Sequence, residues 1–112
     1  MDFPTFWNTL RANLAVGDEV LNWTPLKGYL GDSFSVTSIT DEQVVLNSPD
    51  AKTPQHAYRA DFELVHRQWS QYCSGAVKRK DIVKSSRVSK YTISIIKYLE
   101  PTVLKSIVSG SV

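Results

Sequence analysis

An α+β fold is predicted by three features of the chain. Apolar residues fall at helical spacing near both ends, short β-prone runs alternate between them, and turn residues separate the runs. The expected architecture is an N-terminal helix, a small curled antiparallel sheet of three or four strands, then about three C-terminal helices. At 112 residues, 42% apolar and 21% charged, the chain has the length and composition of one modest globular core. That domain is expected to span residues 1–101, with residues 102–112 as a tail.

The first helix is written in Phe3, Phe6, Trp7, Leu10 and Leu14, which form one continuous stripe. Asp2 can cap it, Pro4 suits its first turn and Gly17 is a natural stop. Three aromatics on one stripe point to the core. Val20-Leu21-Asn22-Trp23-Thr24 then reads as a strand closed by Pro25, and Lys27–Asp32 as a loop with two glycines. Phe34, Val36 and Ser38 alternate with Ser33, Ser35 and Thr37, the pattern of a half-buried strand. Thr40–Gln43 turns the chain back through Val44-Val45-Leu46. After a polar loop from Ser48 to Pro54, residues 55–59 can add one more strand. A sheet of this size needs helices packed on it.

From Asp61 the period becomes helical. Asp61 can cap a helix whose Phe62, Val65, Trp69 and Tyr72 (or Cys73) line one face, ending at Ser74-Gly75. A short helix is expected around Arg79–Lys84. Another follows the cap candidate Ser89, with Thr92, Ile95, Ile96 and Leu99 on one side, and Pro101 is expected to stop it. The tail mixes Val103, Leu104, Ile107 and Val108 with Ser-Gly-Ser, as a frayed helix or a partly disordered end.

Several function classes find little support. No apolar run approaches the roughly 18 residues of a spanning helix, so no membrane partner is expected. Met1-Asp2-Phe3-Pro4 puts an acid where a secretory leader carries bases. The single cysteine, Cys73, fits a reducing, cytoplasmic setting and leaves no thiolate set for zinc. It reads as a small buried hydrophobe at a helix end. His56 and His66 lie on different predicted elements, the first on an edge strand and the second at a core boundary. Asp61 and Glu63 point in different directions, and Gly28 and Gly31 make no phosphate loop. Neither catalytic residues nor a metal or cofactor site are expected, and the chain does not read as an enzyme.

Charge is unevenly placed. Residues 1–76 carry nine acids against five bases, a net of −4, whereas residues 77–99 carry seven bases against Asp81 alone, a net of +6. A positive block of that density attracts polyanions. Its residues Lys78, Arg79, Lys80, Lys84, Arg87, Lys90 and Tyr91 are the candidate nucleic-acid contacts. The opposing expectation is a solvated helical face neutralised by the acidic remainder of the domain.

The stretch Arg79–Ile96 resembles a helix-turn-helix of the lac-repressor type, with Ile82, Val88, Ile93 and Ile96 as its apolar core. Arg87 stands where that family has its turn glycine, and Val83 where it has a small alanine. The resemblance implies that Ser89, Lys90, Tyr91, Ser94 and Ile95 face a major groove, with Lys78, Arg79, Lys80 and Lys84 on phosphates. A wider frame is Phe3-Pro4-Thr5-Phe6-Trp7, Leu10, Gly17 and Asn22-Trp23-Thr24. It continues in Asp61-Phe62-Glu63, Trp69-Ser70-Gln71-Tyr72, Gly75, Arg79 and Ser89-Lys90-Tyr91. This frame resembles small uncharacterised bacterial proteins carried on mobile integron gene cassettes. It implies a compact α+β domain with a role in defence, DNA transactions or partner binding, and no catalytic residues.

The functional expectation is therefore a non-catalytic binding domain, a nucleic-acid-binding accessory protein that uses a basic C-terminal helical face. The alternative is a protein-interaction module or homodimer, using the apolar tail with Trp23 and Tyr29 as a self-complementary patch. A ligand cleft around Trp23 and Tyr29 is a third expectation.

Overall fold

The computed structural model describes residues 2–83 and 88–110. The element order is α1 (Phe3–Asn13), β1 (Glu19–Thr24), β2 (Gly28–Ile39), β3 (Gln43–Asn47), β4 (Gln55–Tyr58), α2 (Arg59–Arg67), α3 (Trp69–Ser74), α4 (Arg79–Val83) and α5 (Ser89–Gly110). The four strands form an antiparallel meander in the order β1-β2-β3-β4. One face of the sheet is packed by helices, with α5 lying against β1 and against α1 and α2.

The apolar stripe of α1 does what its spacing predicts. Phe3, Phe6, Trp7 and Leu10 are buried, and the Asp2 carboxylate accepts the Thr5 backbone N–H at 3.0 Å. The Thr5 side chain first, and this backbone N–H second, hold the Asp2 carboxyl below its ordinary pKa. Trp7 pays for its buried indole N–H by donating to the Asp41 carbonyl at 3.0 Å, which ties α1 to the β2–β3 turn. In the sheet, Val20, Phe34, Val36, Val44, Leu46 and Ala57 point inward, 0–1% exposed. Strand pairs alternate faces, so Glu19, Ser33, Ser35 and Asn47 lie on the side away from the helices.

Four local expectations are corrected. The Lys27–Asp32 loop is mostly strand: β2 begins at Gly28, and Gly31 at φ +91° accommodates a bulge between the Leu21–Ser33 and Trp23–Tyr29 pairs. The helix expected from Asp61 starts at Arg59, with the Asp61 carboxylate accepting the Tyr58 backbone N–H at 2.9 Å. Asp61 thus serves from inside the first turn, where an acid also favours the helix dipole. That helix does not run through to Tyr72, because the backbone breaks at Gln68 and resumes as α3. Finally, α5 continues past Pro101 to Gly110. Proline deletes one bond of the helical ladder, and the flanking bonds suffice to carry the helix onward.

Candidate nucleic-acid interface

The segment from Gly75 to α4 presents the first part of the cationic block. Gly75 closes α3 at φ +86°, a conformation that a side chain would strain. The chain then turns into α4, whose Asp81 carboxylate accepts the Lys78 backbone N–H at 3.2 Å. Ile82, fully buried, anchors α4 to the core. Lys78, Arg79 and Lys80 are exposed side by side, and no carboxylate lies within ion-pair distance of them among the described residues. Lys84 and Arg87 lie outside the described residues.

The second part of the block is placed differently. Lys90 sits between two acids of the N-terminal portion, 3.9 Å from Asp32 and 3.7 Å from Asp50. The same Asp32 oxygen accepts the side-chain N–H of buried Asn22 at 2.9 Å. One lysine therefore links α5 to the bulged hairpin and to the β3–β4 loop. Lys97 donates to Glu100 at 3.0 Å and its ammonium lies 4.8 Å from the Trp23 ring centre. The hydrogen bond to Glu100 pushes the Lys97 pKa up. Glu100 also accepts the Trp69 indole N–H at 3.0 Å.

The groove-facing set does not face outward. Tyr91 is 8% exposed and meets Phe34 edge-to-face at a centroid distance of 5.1 Å. Ser89, Ser94 and Ile95 are each at most 1% exposed. Ser94 accepts the Trp23 backbone N–H at 3.0 Å and donates to the Lys90 carbonyl, so its hydroxyl covers the outer edge of β1. The assignment of Tyr91, Ser89, Ser94 and Ile95 to nucleic-acid contact is thereby corrected. From Ser89 to Ile96 every residue of α5 except Lys90 is buried, which leaves no face for a base edge. Of the candidate contacts, Lys78, Arg79 and Lys80 are exposed at successive positions at the start of α4, whereas Lys90 is paired with carboxylates and Tyr91 is buried.

The remaining chemistry-bearing groups stay separate. His56, on β4, pairs its Nδ1 with Gln43 Oε1 at 2.8 Å, while His66 packs on Phe6 with ring centres 4.5 Å apart. Burial lowers the His66 pKa. Cys73 is exposed rather than buried, and of the two candidates for the inward position Tyr72 takes it. Partial desolvation of its sulfur, with the Glu100 charge nearby, pushes the thiol pKa up, the opposite of an activated nucleophile. Among the described residues, no three His, Cys, Asp or Glu side chains gather as a metal set, and no helix is long and apolar enough to cross a membrane.

Sequence reasoning missed the Asp32–Lys90–Asp50 link, whose partners come from three distant elements with no spacing rule to join them. It also missed the exposed apolar tip of the β1–β2 hairpin, where Leu26 is 91% exposed. The Pro25-Leu26-Lys27 turn was the available signal, since a leucine in a tight hairpin turn has no core within reach. Set against protein-family models, curated proteins and solved structures, the chain matches none of them.

Proposed function

We propose that this is a non-catalytic binding domain that holds nucleic acid on the cationic edge formed by Lys78, Arg79 and Lys80. The observation that carries the reading is the contrast within the basic block: these three cations are exposed beside one another, whereas Lys90 and Lys97 are held by carboxylates. Contacts of this kind go to phosphates and orient a nucleic acid without reading its sequence. Burial of the α5 residues removes the direct route to base recognition, so binding is sequence-independent. The resemblance to integron-cassette proteins is compatible with a role in DNA transactions.

Binding of duplex and single-stranded DNA should then depend steeply on salt. Three neutralised phosphates predict a log–log slope of about −2.7, so affinity falls about 40-fold between about 50 and 200 mM salt. Replacing Lys78, Arg79 and Lys80 together by Ala should abolish both the binding and the slope while leaving thermal stability unchanged. Absence of binding at low salt, or binding indifferent to the triple substitution, overturns the proposal.

A second reading is favoured by the hairpin tip, where Leu21, Leu26, Tyr29 and Leu30 are 43–91% exposed. Grouped apolar exposure of this kind marks a protein-interaction surface. If a second copy docks there, Leu26→Ser with Leu30→Ser should convert a sedimenting dimer to a monomer. If the apolar tail holds the copies instead, deletion of residues 102–112 should do so.

A further inference from the structure

A chain of neighbours links the cationic edge to the aromatic residues of the β1–β2 hairpin. Val77 donates its backbone N–H to the Gln71 carbonyl at 3.1 Å, so Lys78 follows a residue tied to α3. Burial pushes the Tyr72 pKa up, and the Arg79 charge is near enough to oppose it. The next residue of α3, exposed Cys73, has its pKa raised by burial and then by Glu100, while Lys97 opposes them. Lys97 and Glu100 in turn reach the two partly exposed tryptophans. The Lys97 ammonium lies 4.8 Å from the Trp23 ring centre, and Glu100 accepts the Trp69 indole N–H at 3.0 Å. The Trp23 and Trp69 ring centres are 5.9 Å apart. Tyr29 on β2 is the register partner of Trp23 and is 58% exposed. Cross-strand partners project from the same face of a sheet. Tyr29 is accordingly among the smaller influences on Lys97, whose pKa the Glu100 hydrogen bond chiefly raises.

The two ends of this chain of neighbours offer different chemistry. Exposed cations at Lys78, Arg79 and Lys80 meet phosphates, which a paired and an unpaired strand both present. At the hairpin end the Lys97 charge is answered by Glu100, so a phosphate gains little there. What remains is aromatic surface, and Tyr29 has the most of it, since Trp23 and Trp69 are partly packed against the core. An aromatic ring takes the face of a base, and a base offers its face only when it leaves the stack of a duplex. A duplex can therefore use the cationic end alone, whereas a single strand can use both.

On the nucleic-acid reading of the cationic edge, on which this step rests, we propose that the protein holds a single strand in a mode closed to a duplex. Phosphates lie on Lys78, Arg79 and Lys80, the strand crosses α3 at Cys73, and an unpaired base stacks on Tyr29 beside Trp23. The test compares three ligands at low salt: a single strand of about 12 nucleotides, an abasic strand of the same length, and the duplex. The intact strand should bind about tenfold more tightly than the abasic one, the fold-change of one stacked base. Tyr29→Ala, at an exposed position, should remove that advantage and leave duplex binding unchanged. Cys73 is the single cysteine of the chain, so maleimide labelling reads the path directly in the native protein. Saturating single strand should slow that labelling. Equal binding of intact and abasic strands, an advantage that survives Tyr29→Ala, or a labelling rate unchanged by the single strand would each overturn the proposal. In all three cases duplex binding at Lys78–Lys80 still stands. Failure of every ligand to bind at low salt would instead remove the reading of the cationic edge, and this proposal with it.

Discussion

Lys78 and Lys90 belong to one cationic run, yet the fold gives them opposite surroundings. Lys78 immediately precedes, and Arg79 and Lys80 open, a five-residue helix that touches the core through Ile82. Lys90 stands on a 22-residue helix whose first turns are buried, and Asp32 and Asp50 approach it from the sheet side. The difference teaches how a charge block should be read. A lysine next to a buried helix face meets whatever acids the packed elements bring, whereas one on a short connecting helix meets solvent. Net charge over a segment therefore overstates the charge that the segment offers to a partner.

The sharpest way to break this comparison is to cut into the α5 side of it. Ile95, fully buried, should cost about 2–5 kcal/mol when replaced by Ala, read as a shift of the urea midpoint. An exposed groove residue would instead change stability by no more than about 0.5 kcal/mol. Such a small effect would return the first turns of α5 to the surface and revive base readout there.

A smaller effect is expected at Lys90. Its side chain is 34% exposed and its partners 48% and 69%, so solvent screens both pairs. Lys90→Ala should cost at most about 1 kcal/mol, and the cost should shrink as salt is added. Lys78→Ala should leave stability unchanged within about 0.5 kcal/mol at any salt. If the two substitutions behave alike, the tied and untied halves of the block are not distinct.

The smallest expected effect concerns pH at the α1–α2 contact. Burial against Phe3 and Phe6 lowers the His66 pKa, and the Glu63 and Asp2 charges only partly oppose this. The folded state thus favours the neutral ring, and the unfolded chain takes up the proton first as pH falls. Stability from this residue is present above the ordinary value of 6.5. It declines as pH drops through that value and levels off below the folded-state pKa. A urea midpoint measured at about pH 7.5 and 5.5 should show the decline in the native chain and a reduced decline in His66→Phe. An equal decline in both would place the titrating group elsewhere.

Much of the fold was legible because periodicity reports which side of an element is apolar. The stripe from Phe3 to Leu10 and the alternation through Phe34 and Val36 each named buried residues correctly. The candidate site was legible only in part. Lys78, Arg79 and Lys80 were identified from charge and are exposed, but Tyr91, Ser94 and Ile95, which the helix-turn-helix resemblance turned outward, are core. The helical stripe had placed Thr92 and Ile95 on the packed side, and the groove assignment that the resemblance implied failed because α5 is covered from more than one side, by β1, α1 and α2. A helix so enclosed buries polar residues as well, and Thr92 and Ser94 are 0% and 1% exposed.

The sequence by itself determined the helix–sheet–helix order, most of the inward-facing residues and the uneven distribution of charge. These depend on local spacing, which any short stretch of chain already contains. Only the tertiary structure decided which lysines are neutralised, how deeply α5 is enclosed and that Glu19, Ser35 and Asn47 align across three strands. Those outcomes depend on strand register and helix packing between residues far apart in the chain, and no local pattern encodes the distance between them.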